Sequence, residues 1–158
     1  MAFQSTPDPA RGRLLLLSTI LFISYLCIGM SFPIVPLYVS EQLRFGNVWA
    51  GLGVGIAFFA TILTRGYAGS LSDHRGAKPA VMRGLALYVA GALMALAAGL
   101  VAHMPLPSFL LLLVGRLLLG LGESLVAVGI IAWGIGFVGP ARSGRVLALV
   151  GAAIYGAL

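Results

Sequence analysis

Charge is scarce in this sequence. Only 9% of the 158 residues are charged, and four acids stand against ten lysines and arginines. A water-facing domain carries about a quarter charged residues, so this chain lacks the means to cover a solvated surface. Cysteine is scarcer still. The single Cys27 excludes an internal disulfide, supplies no metal cluster, and reads as a small packing residue inside an apolar run. No catalytic triad, metal-ligand spacing or phosphate-binding loop is present, so neither an enzyme nor a cofactor is expected. Gly51-x-Gly53-x-Gly55 falls within an apolar run and does not read as a nucleotide fingerprint.

What the chain has is oil. Sixty per cent of it is hydrophobic and its mean hydropathy is +1.06. These values describe an all-α integral membrane protein whose first partner is the lipid bilayer. Apolar runs cover about 14–39, 48–71, 83–102 and 108–133, each near or above the roughly 20 residues needed to cross the hydrocarbon core. A fifth run, 146–158, has a helical length of about 20 Å, too short to cross unaided. The expected organisation is an N-terminal tail over 1–13, then a partial bundle over 14–158 with four complete spans and a truncated fifth. The first run is long and lacks a small-x-small cleavage site, so it reads as a retained anchor and not as a signal peptide.

The net charge of +6 could suggest nucleic acid, but the basic residues sit in short connections between apolar runs, and no nucleic-acid partner is expected. Arg11 and Arg13 precede the first span, Arg75, Lys78 and Arg83 follow the second, and Arg142 and Arg145 follow the fourth. The opposite side has Arg44 alone, with Glu41 and His103. The positive-inside rule then puts the N-terminus in the cytoplasm of a multi-pass protein of the cell (plasma or inner) membrane.

Within the spans, small residues at four-residue spacing, Gly51 with Gly55 and Ala152 with Gly156, and the glycines Gly115, Gly120 and Gly122 mark close helix packing. Arg116 and Glu123 lie deep in the fourth span, where a charge costs at least about 2.5–3.5 kcal/mol. Seven residues apart, they share a helix face with Gly120 and Ala127, but the rise of about 10 Å is long for a direct pair. They read either as a polar cluster pinning the helices or as a cavity-facing site for substrate or proton coupling. In the second reading Glu123 carries the proton and Arg116, which stays charged, tunes it or holds an anionic group. Ser24, Tyr25 and Ser31 could line that cavity or serve as packing hydroxyls. Pro33 and Pro36 are expected to bend the first span, Arg65 to snorkel, Trp133 to anchor at the interface and His74 to be a solvated connection residue.

The stretch GSLSDHRGAK, residues 69–78, concentrates charge and turn chemistry between the second and third spans. Gly76 permits a tight reversal and Pro79 suits a first helical residue. Gly69, Leu71, Asp73, Gly76 and Lys78 match the motif G-x-L-x-D-x-x-G-x-K, and Arg116, Gly120 and Gly122 match R-x-x-x-G-x-G in the fourth span. Together these resemble the major facilitator superfamily, with both motifs in that family's order and helices. The stretch GESLVAVGIIAWGIGFVGP resembles an uncharacterised bacterial branch grouped with efflux permeases.

The resemblance implies a partial major-facilitator bundle, helices one to four and part of five of a twelve-helix fold whose halves rock about a central site. It implies a secondary transporter of a small organic solute, proton-coupled and outward, with uptake of a sugar or metabolite as an alternative. It also implies that Asp73 meets a helix of the missing C-terminal half. The chain departs from the family pattern at His74, where arginine often follows the aspartate, and in lacking an acid in GFVGPARSGR. From a different class comes a non-transporting fragment or accessory subunit that packs against other helices or a complementary fragment.

Overall fold

The computed structural model describes residues 9–158, with side chains from Gly12 onward, so the side chain of Arg11 lies outside the described part. Five α-helices follow in order: α1 Pro9–Leu37, α2 Asn47–Arg75, α3 Ala77–Leu100, α4 Pro105–Val138 and α5 Ser143–Ala157. No strand occurs among the described residues. The segments Gly12–Gln42, Asn47–Arg75, Ala77–Leu100 and Pro105–Val138 are long and apolar enough to cross a membrane. Helical winding is the form that leaves no backbone group unpaired in lipid.

The helices outrun the apolar runs. α2 stays helical through Asp73, His74 and Arg75, and α3 starts at Ala77, so the connection between them is Gly76 alone. Its φ of 90° is open to glycine at little cost. Pro79 is the third residue of α3, not the first, a position where its missing N–H still costs nothing. Gly139, at φ 81°, separates α4 from a short 3-10 turn at Pro140–Arg142. α1 continues through Pro33 and Pro36 to Leu37, then widens into a π turn at Tyr38–Gln42, closed by the Leu43 N–H donating to the Tyr38 carbonyl at 3.1 Å. Winding changes directly after the two prolines, which deprive the ladder of donors.

α4 is the hub, packing against the other four helices. Its contact with α3 is built from glycines seven residues apart on each helix. A Cβ on Gly122 would stand 2.8 Å from the Gly84 carbonyl oxygen, and one on Gly115 would stand 2.9 Å from that of Gly91. Two turns further on, Gly129 meets Val81. Such closeness lets dispersion and backbone contacts hold helices where lipid gives no hydrophobic drive. Gly120 points to the other side and lies against Ala57 and Ala60 of α2. Gly51 and Gly55, expected to pack, have open space around them; Gly53, on the opposite face, meets Val35.

At the end carrying the α1–α2 and α3–α4 connections, Tyr38 Oη lies 2.9 Å from the Ala98 carbonyl and 2.7 Å from Ser108 Oγ. Ser108 Oγ donates to the same carbonyl at 2.9 Å, so three helices share one acceptor. Phe45, Trp49 and Phe109 stack edge to face beside it. At the other end, Leu14, Leu17, Leu21, Ile130, Val146 and Val150 join α1, α4 and α5. Trp133 packs partly buried against this group beside Phe137, whose ring faces Arg13 at 5.2 Å.

Candidate functional site

Arg116 and Glu123 both point into the bundle from α4, 2% and 7% exposed. They do not touch each other's partners. Arg116 Nε donates to the Gly53 carbonyl at 3.1 Å, and one terminal nitrogen donates to Ser31 Oγ at 2.6 Å. The other reaches the Val54 carbonyl at 3.5 Å. The guanidinium fork thus ties α1 to α2 with neutral acceptors only. A planar group with donors spread over three nitrogens suits this, where a lysine would have to serve all three acceptors from one nitrogen.

Two turns along α4, Tyr25 Oη of α1 donates to Glu123 Oε1 at 3.0 Å. Thr61 of α2, itself buried, places its Oγ1 3.2 Å from Glu123 Oε2. The same hydroxyl lies 3.0 Å from the Ala57 carbonyl and 3.1 Å from that of Gly120. It has one proton and three acceptors within reach. None of the hydrogen-bond partners of Glu123 is a cation.

The geometry therefore brings Arg116, Glu123, Tyr25 and Ser31 together across α1, α2 and α4. Tyr25 and Ser31 are turned to the buried charges. Ser24 donates to its own helix at the Ile20 carbonyl and lines a cleft of about 440 Å³ between α1 and α3 with Cys27 and Tyr88. Cys27, read from the sequence as a small packing residue, is exposed there and does not pack inside this bundle. Thr61 was not singled out from the sequence. The run Phe58–Thr64 holds two threonines three residues apart, and nothing in it distinguishes Thr61, which faces α4, from Thr64, which bonds to its own helix at Ala60.

The motif residues 69–78 form the last turns of α2 and the start of α3. Leu71 is buried with Ala68, Ala80 and Leu125, and fixes this end of the pair on α4. Asp73, Gly76 and Lys78 are exposed, while Gly69 is half-buried. His74, also exposed, lies with Nδ1 2.9 Å from the Ser70 carbonyl. Arg65 is exposed on α2. No group of His, Cys, Asp and Glu able to hold a metal occurs among the described residues.

Comparison with known proteins gives the family. Residues 17–157 match the family model of the Major Facilitator Superfamily. An uncharacterized MFS-type transporter of Burkholderia pseudomallei (strain 1106a) is 44% identical over 137 residues, 87% of this chain and 34% of its own length. The uncharacterized MFS-type transporter YhhS of Escherichia coli (strain K12) is 42% identical over the same shares, and one from Burkholderia mallei (strain SAVP1) is 44% identical. The chain spans about a third of the length of these relatives. No solved structure matches. With its membrane-spanning helices, its two motifs and this match over most of its length, the chain belongs to the Major Facilitator Superfamily.

Proposed function

We propose that this chain is the N-terminal part of a secondary transporter that moves a small organic solute in exchange for protons, with Glu123 as the proton carrier. The observation that carries the reading is the hydrogen-bond set of Glu123: a buried carboxyl on the central helix, held by two hydroxyls from two other helices.

Those hydroxyls suit both protonation states. When the carboxyl is ionised, Tyr25 donates to Oε1 and Thr61 to Oε2. When a proton sits on Oε2, the carboxyl donates to Thr61, whose own proton turns to the Ala57 carbonyl 3.0 Å away. Neither state leaves a buried polar group unpaired, which is the condition for a proton to come and go without opening the bundle. Arg116, two turns away, would supply the fixed positive charge of the site and a hold on an anionic part of the solute. Outward transport rests on the resemblance of residues 122–140 to the efflux-permease branch, and cytoplasmic placement of the N-terminus rests on the basic connections.

The test is flux into vesicles containing a full-length transporter that carries this segment. Glu123→Gln keeps the size and the acceptor for Tyr25 but cannot exchange a proton. It should abolish uptake driven by a pH gradient while leaving solute exchange at equal pH. Unaltered gradient-driven uptake in that variant would sink the reading, and the sidedness of uptake separates efflux from import.

A second reading has its own observation. Spanning 34% of its relatives' length, the segment by itself would pack against other helices and move nothing. Saturable, gradient-driven flux by the purified 158-residue chain would exclude it.

A further inference from the structure

A cleft lies between α2 and α3, lined by residues of both helices and of α4. The two helices leave the single-residue turn at Gly76 and both rest on α4, with the cleft, of about 470 Å³, between them. Thr64, Leu87, Leu121 and Leu125 line it. Tyr67 and Arg83 stand on opposite walls. Arg83 is the only ionisable group besides the Tyr67 phenol among the residues lining the cleft, and no acid is among them.

Depth decides what can enter. Arg83 is six residues past the start of α3, about 9 Å along the axis, and Tyr67 is eight residues before the end of α2, about 12 Å. The two rim groups are thus level within about 3 Å, close to the border between hydrocarbon and headgroups. Both flanking helices are apolar where they face outward, with Leu63, Tyr67 and Met82 each more than half exposed. With both helices spanning the membrane, a sideways opening at that depth faces the border between acyl chains and headgroups.

We infer that this cleft binds one anionic phospholipid, with its phosphate held by the Arg83 guanidinium and the Tyr67 phenol and one acyl chain lying over Leu87 and Leu121. Arginine presents a fork that fits phosphate oxygens bidentately, and its stem can follow the apolar wall while its head reaches the interface. The positive charge of Arg83, in a cleft lined by no acid, favours an anionic headgroup over a zwitterionic one. The inference rests on membrane embedding and is independent of the proton-carrier reading.

The experiment is native mass spectrometry of the purified chain, released from detergent containing equal amounts of phosphatidylglycerol and phosphatidylcholine. The chain should retain phosphatidylglycerol at least about fivefold over phosphatidylcholine, and 10-fold excess inorganic phosphate should not displace it. Arg83→Gln should bring the ratio to about one, Arg83→Lys should keep part of it, and Tyr67→Phe should lower it about twofold. Arg142→Gln, which removes a cation at the same end but outside the cleft, should leave it unchanged. Circular dichroism on each variant confirms that the helices are intact. An unchanged ratio in Arg83→Gln, equal loss in Arg142→Gln, or displacement by inorganic phosphate would each overturn the inference.

Discussion

Tyr25 and Glu123, 98 residues apart in sequence, meet at 3.0 Å inside the bundle, phenol to carboxyl. The pair joins the first membrane-spanning helix to the central one at the level where Thr61 joins the second. One carboxyl is therefore a node for three helices. Any change in its hydrogen bonding acts on how α1, α2 and α4 fit together.

The first prediction concerns this pair. Tyr25→Phe removes one hydroxyl and keeps the ring in place. Interhelical hydrogen bonds inside membrane proteins contribute about 0.6 kcal/mol on average and at most about 1.7 kcal/mol. A double-mutant cycle of Tyr25→Phe with Glu123→Met, which removes the acceptor, read from thermal unfolding in detergent by tryptophan fluorescence, should give a coupling in that range. Additive effects would mean that the pair is not coupled in the folded chain.

Arg116 should be less replaceable than its charge alone suggests. Its three donors go to Ser31 of α1 and to two adjacent carbonyls of α2. Arg116→Lys keeps the charge but can reach only part of that set, leaving a buried cation short of acceptors. A loss of about 1–3 kcal/mol is expected. Ser31→Ala should cost less, because the two carbonyls still hold the guanidinium. If Arg116→Lys unfolds like the wild type, the fork geometry is not what holds α1 and α2 together.

Much of this architecture was legible in the sequence, and the reasons for the gaps are physical. Hydropathy reports which residues face lipid, so the four spans emerged, as did the tight reversal at Gly76. It does not report backbone pairing, so it stops short of Asp73, His74 and Arg75, which remain helical beyond the apolar part of α2. Helical periodicity put Arg116 and Glu123 on one face. Their partners lie 85, 62 and 98 residues away at Ser31, Thr61 and Tyr25, and no spacing rule within a helix reaches that far. The glycines show the same limit. The repeat Gly115, Gly122, Gly129 and its counterpart Gly84, Gly91 are visible as spacings, but which face meets which depends on register between helices. Gly51 and Gly55 have the right spacing and the wrong face.

Asp73 should separate fold from function. It is exposed at the end of α2, and the residue that anchors this end is its buried neighbour Leu71. Asp73→Asn should leave the thermal stability of this chain unchanged, while in a full-length transporter the lost charge should impair flux without reducing expression. Unchanged flux would make Asp73 a residue of the helix end and nothing more. Leu71→Ala, by contrast, should destabilise the chain itself by about 2–5 kcal/mol, read from the same unfolding curves.

The last prediction turns on two glycines of the same chemistry in opposite settings. Replacing glycine by alanine within a helix gains up to about 1 kcal/mol from backbone entropy when the added methyl meets nothing. Gly51 in α2 is such a position, with no atom within 4 Å of where its Cβ would stand. Gly51→Ala should leave the bundle as stable as before or slightly more so. Gly120 in α4 is the reverse. Its added methyl would run into the Ala57 carbonyl and stand 2.9 Å from the Ala60 Cβ, both on a packed helix that has no flexible side chain to move aside. α2 must shift, at a cost of about 1–3 kcal/mol. That shift has a second effect, because α2 supplies Thr61 to Glu123 and the Gly53 and Val54 carbonyls to Arg116. Gly120→Ala should therefore lower the melting temperature and also erase the coupling between Tyr25→Phe and Glu123→Met, whereas Gly51→Ala preserves it. If both alanines behave alike, the close approach of α2 and α4 is not what positions the buried charges.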